Sequence, residues 1–158
     1  LPANPANRST FVYGGRTYWL KEFHFHEPAE NIINGSRPQA MEVHLVHETI
    51  DTPTLTLVVA VLVIAGRENT LINTLWTQIP EPGGSALLST LINAGSLLPT
   101  NKAFYRFTGS LTTPPCTPGV TWIVLKDPAE FSQRQIDEYR NHYRGTARRL
   151  QPVIRQGQ

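Results

Sequence analysis

Cysteine is almost absent from this chain of 158 residues: Cys116 is the single one. An internal disulfide is therefore excluded. Cys116 reads as an inert buried thiol, a reactive one, or half of a bridge whose partner lies elsewhere. Charge of one sign is also scarce. The net charge is +2 and no dense Lys/Arg run appears, so composition gives no electrostatic case for nucleic acid or a membrane surface. The Arg148-Arg149 pair reads as solvated or structural. Long apolar runs are missing too. The longest, LTLVVAVLVIAG over 55–66, is too short to cross a bilayer as a helix. Its Val and Ile content reads as a central strand buried on both faces. The opening LPANPANRST has neither a basic start nor an apolar stretch, so it does not read as a signal peptide. There is no internal repeat, no low-complexity tract, and no nucleophile elbow or HExxH pattern of a dedicated hydrolase.

What the chain does have is punctuation. Thirteen prolines and eleven glycines are spread along it, as in a turn-rich β protein rather than two domains on a linker. Strands are predicted over 9–13 and 17–26, joined at Gly14-Gly15. Further strands are predicted over 40–48 and 55–65, with a turn at Asp51-Thr52-Pro53, and over 104–108 and 119–126. Leu71, Ile72, Leu75, Trp76 and Ile79 recur at helical spacing until Pro80. A last helix is predicted over 133–143, with Ser132 and Gln135 forming a capping box and Phe131 and Ile136 a hydrophobic staple. The class is mostly β: a central twisted, largely antiparallel sheet with a few short helices, in one domain over 1–158.

Side chains alternate faces along a strand. In EFHFHEPAEN, residues 22–31, Glu22, His24 and His26 share one face, while Phe23 and Phe25 point to the other. MEVHLVH, residues 41–47, repeats the device with Glu42, His44 and Val46. If these two strands pair antiparallel, His24, His26 and His44 converge. Three neutral imidazoles suit zinc and leave its fourth position open, which marks a catalytic rather than a structural site. A ligating histidine commonly gives its other N–H to a carboxylate or carbonyl, and Glu22 and Glu42 stand two residues before a ligand on the same face. His47 is out of phase and reads as a packed histidine; His142 reads as a surface residue of the last helix.

GSLTTPPC, residues 109–116, taken with FHFH and MEVHLVH in this order, resembles the α-class carbonic anhydrases of bacterial type. The resemblance runs on through LLPTNKAFYRFTGSLTTPPCTPGVTW, residues 97–122, and faintly to RRLQP near the end. It implies zinc-dependent, reversible hydration of carbon dioxide to bicarbonate and a proton. It implies zinc ligation by His24, His26 and His44, and outer support by Glu22 and Glu42. Thr112 matches the threonine that orients the attacking oxygen and passes its own proton toward a buried glutamate, here Glu30. Thr113 matches a pocket-lining neighbour. Val46, Val58, Leu111, Val120 and Trp122 match the apolar wall for carbon dioxide. A cis Pro114–Pro115 bond, inhibition by sulfonamides and anions, and a periplasmic or secreted setting are further implications.

The match also departs from the family pattern. Members carry several tens of residues before the first strand found here, including the histidine that relays protons to solvent, so the shuttle residue is unassigned. An N-terminally incomplete domain is expected, with Cys116 an unpaired half-cystine and an open sheet edge that permits self-association. Glu22 stands where glutamine is common, which should make zinc a weaker acid. Asn31 and Ala29 alter the usual surroundings of Glu30, and Phe107 replaces a common tyrosine. Two alternatives stay open: a catalytically silent binding module that keeps the fold, and zinc-dependent ester hydrolysis as a side activity.

Overall fold

The computed structural model describes residues 9–33, 35, 40–50, 54–88 and 90–151. Seven strands form one sheet: β1 (Thr10–Tyr13), β2 (Arg16–His26), β3 (Met41–Glu48), β4 (Thr56–Ala65), β5 (Phe104–Ser110), β6 (Pro118–Leu125) and β7 (Ala129–Phe131). The order is β1-β2-β3-β4-β6-β5, with β7 pairing β4 beyond β6. All contacts are antiparallel except β4 with β6 and β4 with β7, which are parallel. The helices are α1 (Thr70–Trp76) and α2 (Gln133–His142), with a short 3-10 turn at Ala94–Leu97. No helix among the described residues is long and apolar enough to cross a membrane.

Local chemistry explains most of these elements. Gly14 and Gly15 both take positive φ, at 57° and 74°, the conformation a two-residue hairpin loop needs and other residues resist. The Asn69 side chain caps α1 by accepting from the N–H groups of Leu71 and Ile72. The helix ends at Trp76, three residues short of the predicted Ile79; Pro80 disfavours helical geometry at Ile79, and the chain tightens before it, with the Gln78 N–H on the Leu75 carbonyl. The capping box of Ser132 and Gln135 is formed at the start of α2. Strand β7 escaped the sequence reading; three residues are too few to show alternation. The turn predicted at 51–53 lies outside the described residues.

The sheet separates two apolar clusters. On one face Val43, Leu45, Val59, Val61 and Ile123 pack with Ile72 of α1 and Ile136 and Tyr139 of α2. Trp76 stacks on Tyr139 at 5.6 Å, and the Tyr139 hydroxyl donates to the Phe25 carbonyl at 2.8 Å. On the other face Val46, Val58, Ala60, Leu62, Val120, Trp122 and Val124 form a second cluster with Ala29. Strand β4 is buried on both faces, as its unbroken Val/Ile run predicts.

Strand β2 carries one irregularity that matters for function. Tyr18 and Leu20 point to the helix side, and so do Phe23 and Phe25. Strict alternation cannot place both sets there. A register shift between Leu20 and Glu22 leaves Lys21 as the extra residue and reverses the phase. Glu22, His24 and His26 are thereby turned to the face away from the helices.

Candidate metal centre

His24 lies directly opposite His44 in the β2–β3 register, and His26 lies opposite Glu42. The three rings meet over the sheet with centroid separations of 5.0 Å (His24–His26), 5.3 Å (His24–His44) and 4.4 Å (His26–His44). One ring nitrogen from each lies within 4.8 Å of the others. Each ring has its other nitrogen engaged. His44 Nε2 meets Glu42 Oε1 at 3.0 Å, His26 Nδ1 meets the Thr146 carbonyl at 3.0 Å, and His24 Nδ1 lies 3.4 Å from Glu22 Oε1. The remaining nitrogens of the two buried rings, His26 Nε2 and His44 Nδ1, have no hydrogen-bond partner. Buried polar atoms without partners are costly. Two of them aimed at a third imidazole are what a zinc ligand set requires.

Electrostatics favours the same state. Burial, and then the neighbouring His44 and His26, lower the His24 pKa to about 4. Burial and His44 likewise hold His26 below its ordinary value, against the pull of Glu30. Burial would raise the Glu42 carboxyl, but the His44 and Asn31 hydrogen bonds outweigh it and keep the group below the usual carboxylate range. Imidazoles that stay neutral offer lone pairs without first losing a proton.

The support extends beyond these pairs. Glu42 is fully buried and accepts from the Asn31 backbone N–H at 2.7 Å and from the Asn31 side-chain amide. Glu30 is buried; its Oε1 accepts from the Arg148 N–H at 2.6 Å and lies 3.3 Å from His26 Nδ1. Thr146 also closes on Glu27 in both directions at 2.9 Å. Thus Thr146 and Arg148 brace the floor of the site. Sequence reasoning missed Thr146 and Arg148 because they meet His26 and Glu30 through backbone groups, which any residue carries.

A cavity of about 120 Å³ opens beside His24 and His44. Val46, Val58, Leu111, Thr112, Thr113 and Trp122 line it. Val120 is buried behind them in the same apolar cluster. Lys21, Glu22, Glu48 and Thr56 complete the rim, and Lys21 pairs with Glu48 at 2.7 Å. Trp122 is fixed at three points. Its edge meets His44 at 4.8 Å, its face stacks on Phe107 at 5.9 Å, and its Nε1 donates to the Ser110 carbonyl at 3.0 Å. A Cβ at Gly109 would come within 3.1 Å of the indole, so Trp122 would have to give by a few tenths of an ångström to admit one.

The other predicted residues fall as follows. The Pro114–Pro115 bond is cis. Thr112 is half-buried on the cavity wall, and no hydrogen bond joins it to Glu30, whose buried Oε2 has no partner. His47 lies on the opposite face, bonded to the Leu45 carbonyl and 5.8 Å from the Phe11 ring. His142 is not a bare surface residue: it is about three-quarters buried, between Glu81 and Glu138. Cys116 forms no disulfide and is half-buried.

Known proteins share this fold. The sequence pattern of the eukaryotic-type carbonic anhydrase family matches residues 4–158. A carbonic anhydrase of Neisseria gonorrhoeae is 44% identical over 135 residues, covering 85% of this chain and 52% of its own. The α-carbonic anhydrase of Photobacterium profundum superposes with a TM-score of 0.86 at 39% identity, covering 92% of this chain and 66% of that one. The Thermovibrio ammonificans enzyme, solved with the inhibitor sulfanilamide, gives a TM-score of 0.83 at 39% identity, with 89% and 62% covered. The chain thus spans about half the length of the curated relative. From the histidine-bearing strands to the cis-proline loop, fold and sequence agree: the chain belongs to the eukaryotic-type, or α-class, carbonic anhydrase family.

Proposed function

We propose that this chain holds zinc and interconverts carbon dioxide and bicarbonate. One observation carries the reading: two buried ring nitrogens without partners converge with His24 next to an apolar wall. A bound zinc would supply the Lewis acidity that makes water nucleophilic at neutral pH. His24, His26 and His44 would hold it, with His26 and His44 fixed in tautomer by the Thr146 carbonyl and Glu42 on their other nitrogens. Val46, Val58, Leu111 and Trp122 offer an apolar resting place, which suits a substrate without a net dipole and excludes competing water. Thr112 would accept a hydrogen bond from the attacking oxygen and so turn a lone pair toward the substrate carbon. In that role its own hydroxyl would have to donate to Glu30, whose buried Oε2 is an open acceptor.

The reading is tested by zinc stoichiometry alongside stopped-flow carbon dioxide hydration, with and without an aromatic sulfonamide. One zinc per chain and sulfonamide-sensitive hydration are expected. Bound zinc without hydration would favour the silent binding module, and absence of zinc would return the histidines to a structural role.

A further inference from the structure

We propose that Asn31 is a positioning residue of the metal centre: it pins Glu42, and Glu42 aims His44. The proposal rests on the zinc reading above. Glu42 is fully buried, and both its oxygens are occupied. Oε1 takes the His44 Nε2–H at 3.0 Å and the Asn31 side-chain amide. Oε2 takes the Asn31 backbone N–H at 2.7 Å. One residue therefore grips the carboxylate from both sides. A carboxylate held at both oxygens cannot swing about its terminal bond, so Oε1 stays on Nε2 of His44. That contact keeps the proton on Nε2 and leaves Nδ1 bare, facing His24 and His26.

Glu30 reaches the other buried ligand, with Oε1 3.3 Å from His26 Nδ1. The dipeptide Glu30-Asn31 thus stands against both buried imidazoles, Glu30 beside His26 and Asn31 behind His44 through Glu42. The backbone N–H of Asn31 would survive a change of side chain, but the amide donor would not. Without the amide, Glu42 is tethered at Oε2 and shares Oε1 with nothing but the imidazole it must aim.

The test is zinc affinity, measured by competition with a chromophoric chelator on the purified full chain. Losing an outer partner of a metal ligand typically weakens binding about 10–100-fold, and Asn31 stands one step further out. Asn31→Ala should therefore weaken zinc roughly tenfold. Asn31→Asp keeps the shape but sets carboxylate against carboxylate, and should weaken it more. Adding Asn31→Ala to Glu42→Gln should cost little further affinity, because the route through Glu42 is already broken. Circular dichroism of the metal-free variants checks that each folds, and the isosteric Asp variant serves if the Ala variant does not. Wild-type affinity retained in both Asn31 variants would overturn the proposal. So would an equal loss from Asn31→Ala with and without Glu42→Gln. A wild-type chain that takes up no zinc overturns the metal reading itself and this proposal with it.

Discussion

Replacing Gln135 by leucine should destabilise the fold without touching the chemistry. The side chain is fully buried beneath α1 and α2. Its Oε1 accepts from the N–H groups of Asn69 and Ser132, each at 3.0 Å. Its Nε2 donates to the Asn69 carbonyl and to Asn73 Oδ1, each at 2.7 Å. Four bonds are lost, but not four partners are stranded. The Asn69 carbonyl still accepts from the Asn73 N–H at 3.1 Å, and Asn73 Oδ1 still accepts from Arg134 at 3.0 Å. The two N–H groups have no substitute. A buried donor left unpaired costs about 1–3 kcal/mol, and both donors belong to half-buried residues. The expected loss is therefore about 3 kcal/mol in total. Urea unfolding followed by circular dichroism reads it, with an unchanged m-value as the sign that two-state behaviour persists. Hydration activity per folded molecule should be unchanged, because the amide lies on the helix side of the sheet. A loss below about 1 kcal/mol would refute the counting of stranded donors.

Other expectations concern the site and its pH response. Thr112→Ala should lower hydration roughly 100-fold, the scale of a lost proton-orienting group, with zinc content unchanged; loss of zinc instead would place Thr112 in the ligand support. Glu22→Gln should move the pH midpoint of activity downward, because a carboxylate 3.4 Å from His24 Nδ1 makes the ligand a stronger donor and zinc a weaker acid. The shift should be small, since Glu22 is more than half exposed and water screens it; an upward shift would contradict the assignment. Burial lowers the His47 pKa from 6.5, against hydrogen bonds to the Leu45 and Leu57 backbone. Below pH 6.5 the unfolded chain gains a proton that folded His47 refuses, so stability is full above that pH and falls as pH drops toward the depressed folded value. His47→Gln should flatten that part of the stability–pH curve in equilibrium unfolding, and an unaltered slope would show that His47 does not contribute to it.

The histidine cluster was legible in the sequence because it needs only the two-residue period of a strand. His24, His26 and His44 follow from alternation on β2 and β3, and the carboxylates two residues before His24 and His44 follow from the same period. The hairpin at Gly14-Gly15 and the box at Ser132 and Gln135 were legible because their signals are local. What was hidden is non-local or is made by backbone. The bulge at Lys21 decides which face β2 gives to the histidines, yet no residue type marks it. The Thr146 carbonyl sits 120 residues from the His26 it supports. Asn31 was noticed as a change beside Glu30, but its grip on Glu42 appears only when the loop folds back over β3. The second donation of Gln135, across to α1, likewise depends on the packing of two helices far apart in sequence.

Zinc K-edge anomalous scattering from crystals of the zinc-loaded chain bears most directly on the centre. The expected map has one strong peak, bonded to nitrogens of His24, His26 and His44 at about 2.0–2.1 Å, with no fourth protein ligand. A peak placed elsewhere, or one completed by a fourth side chain, would contradict an open, catalytic zinc site.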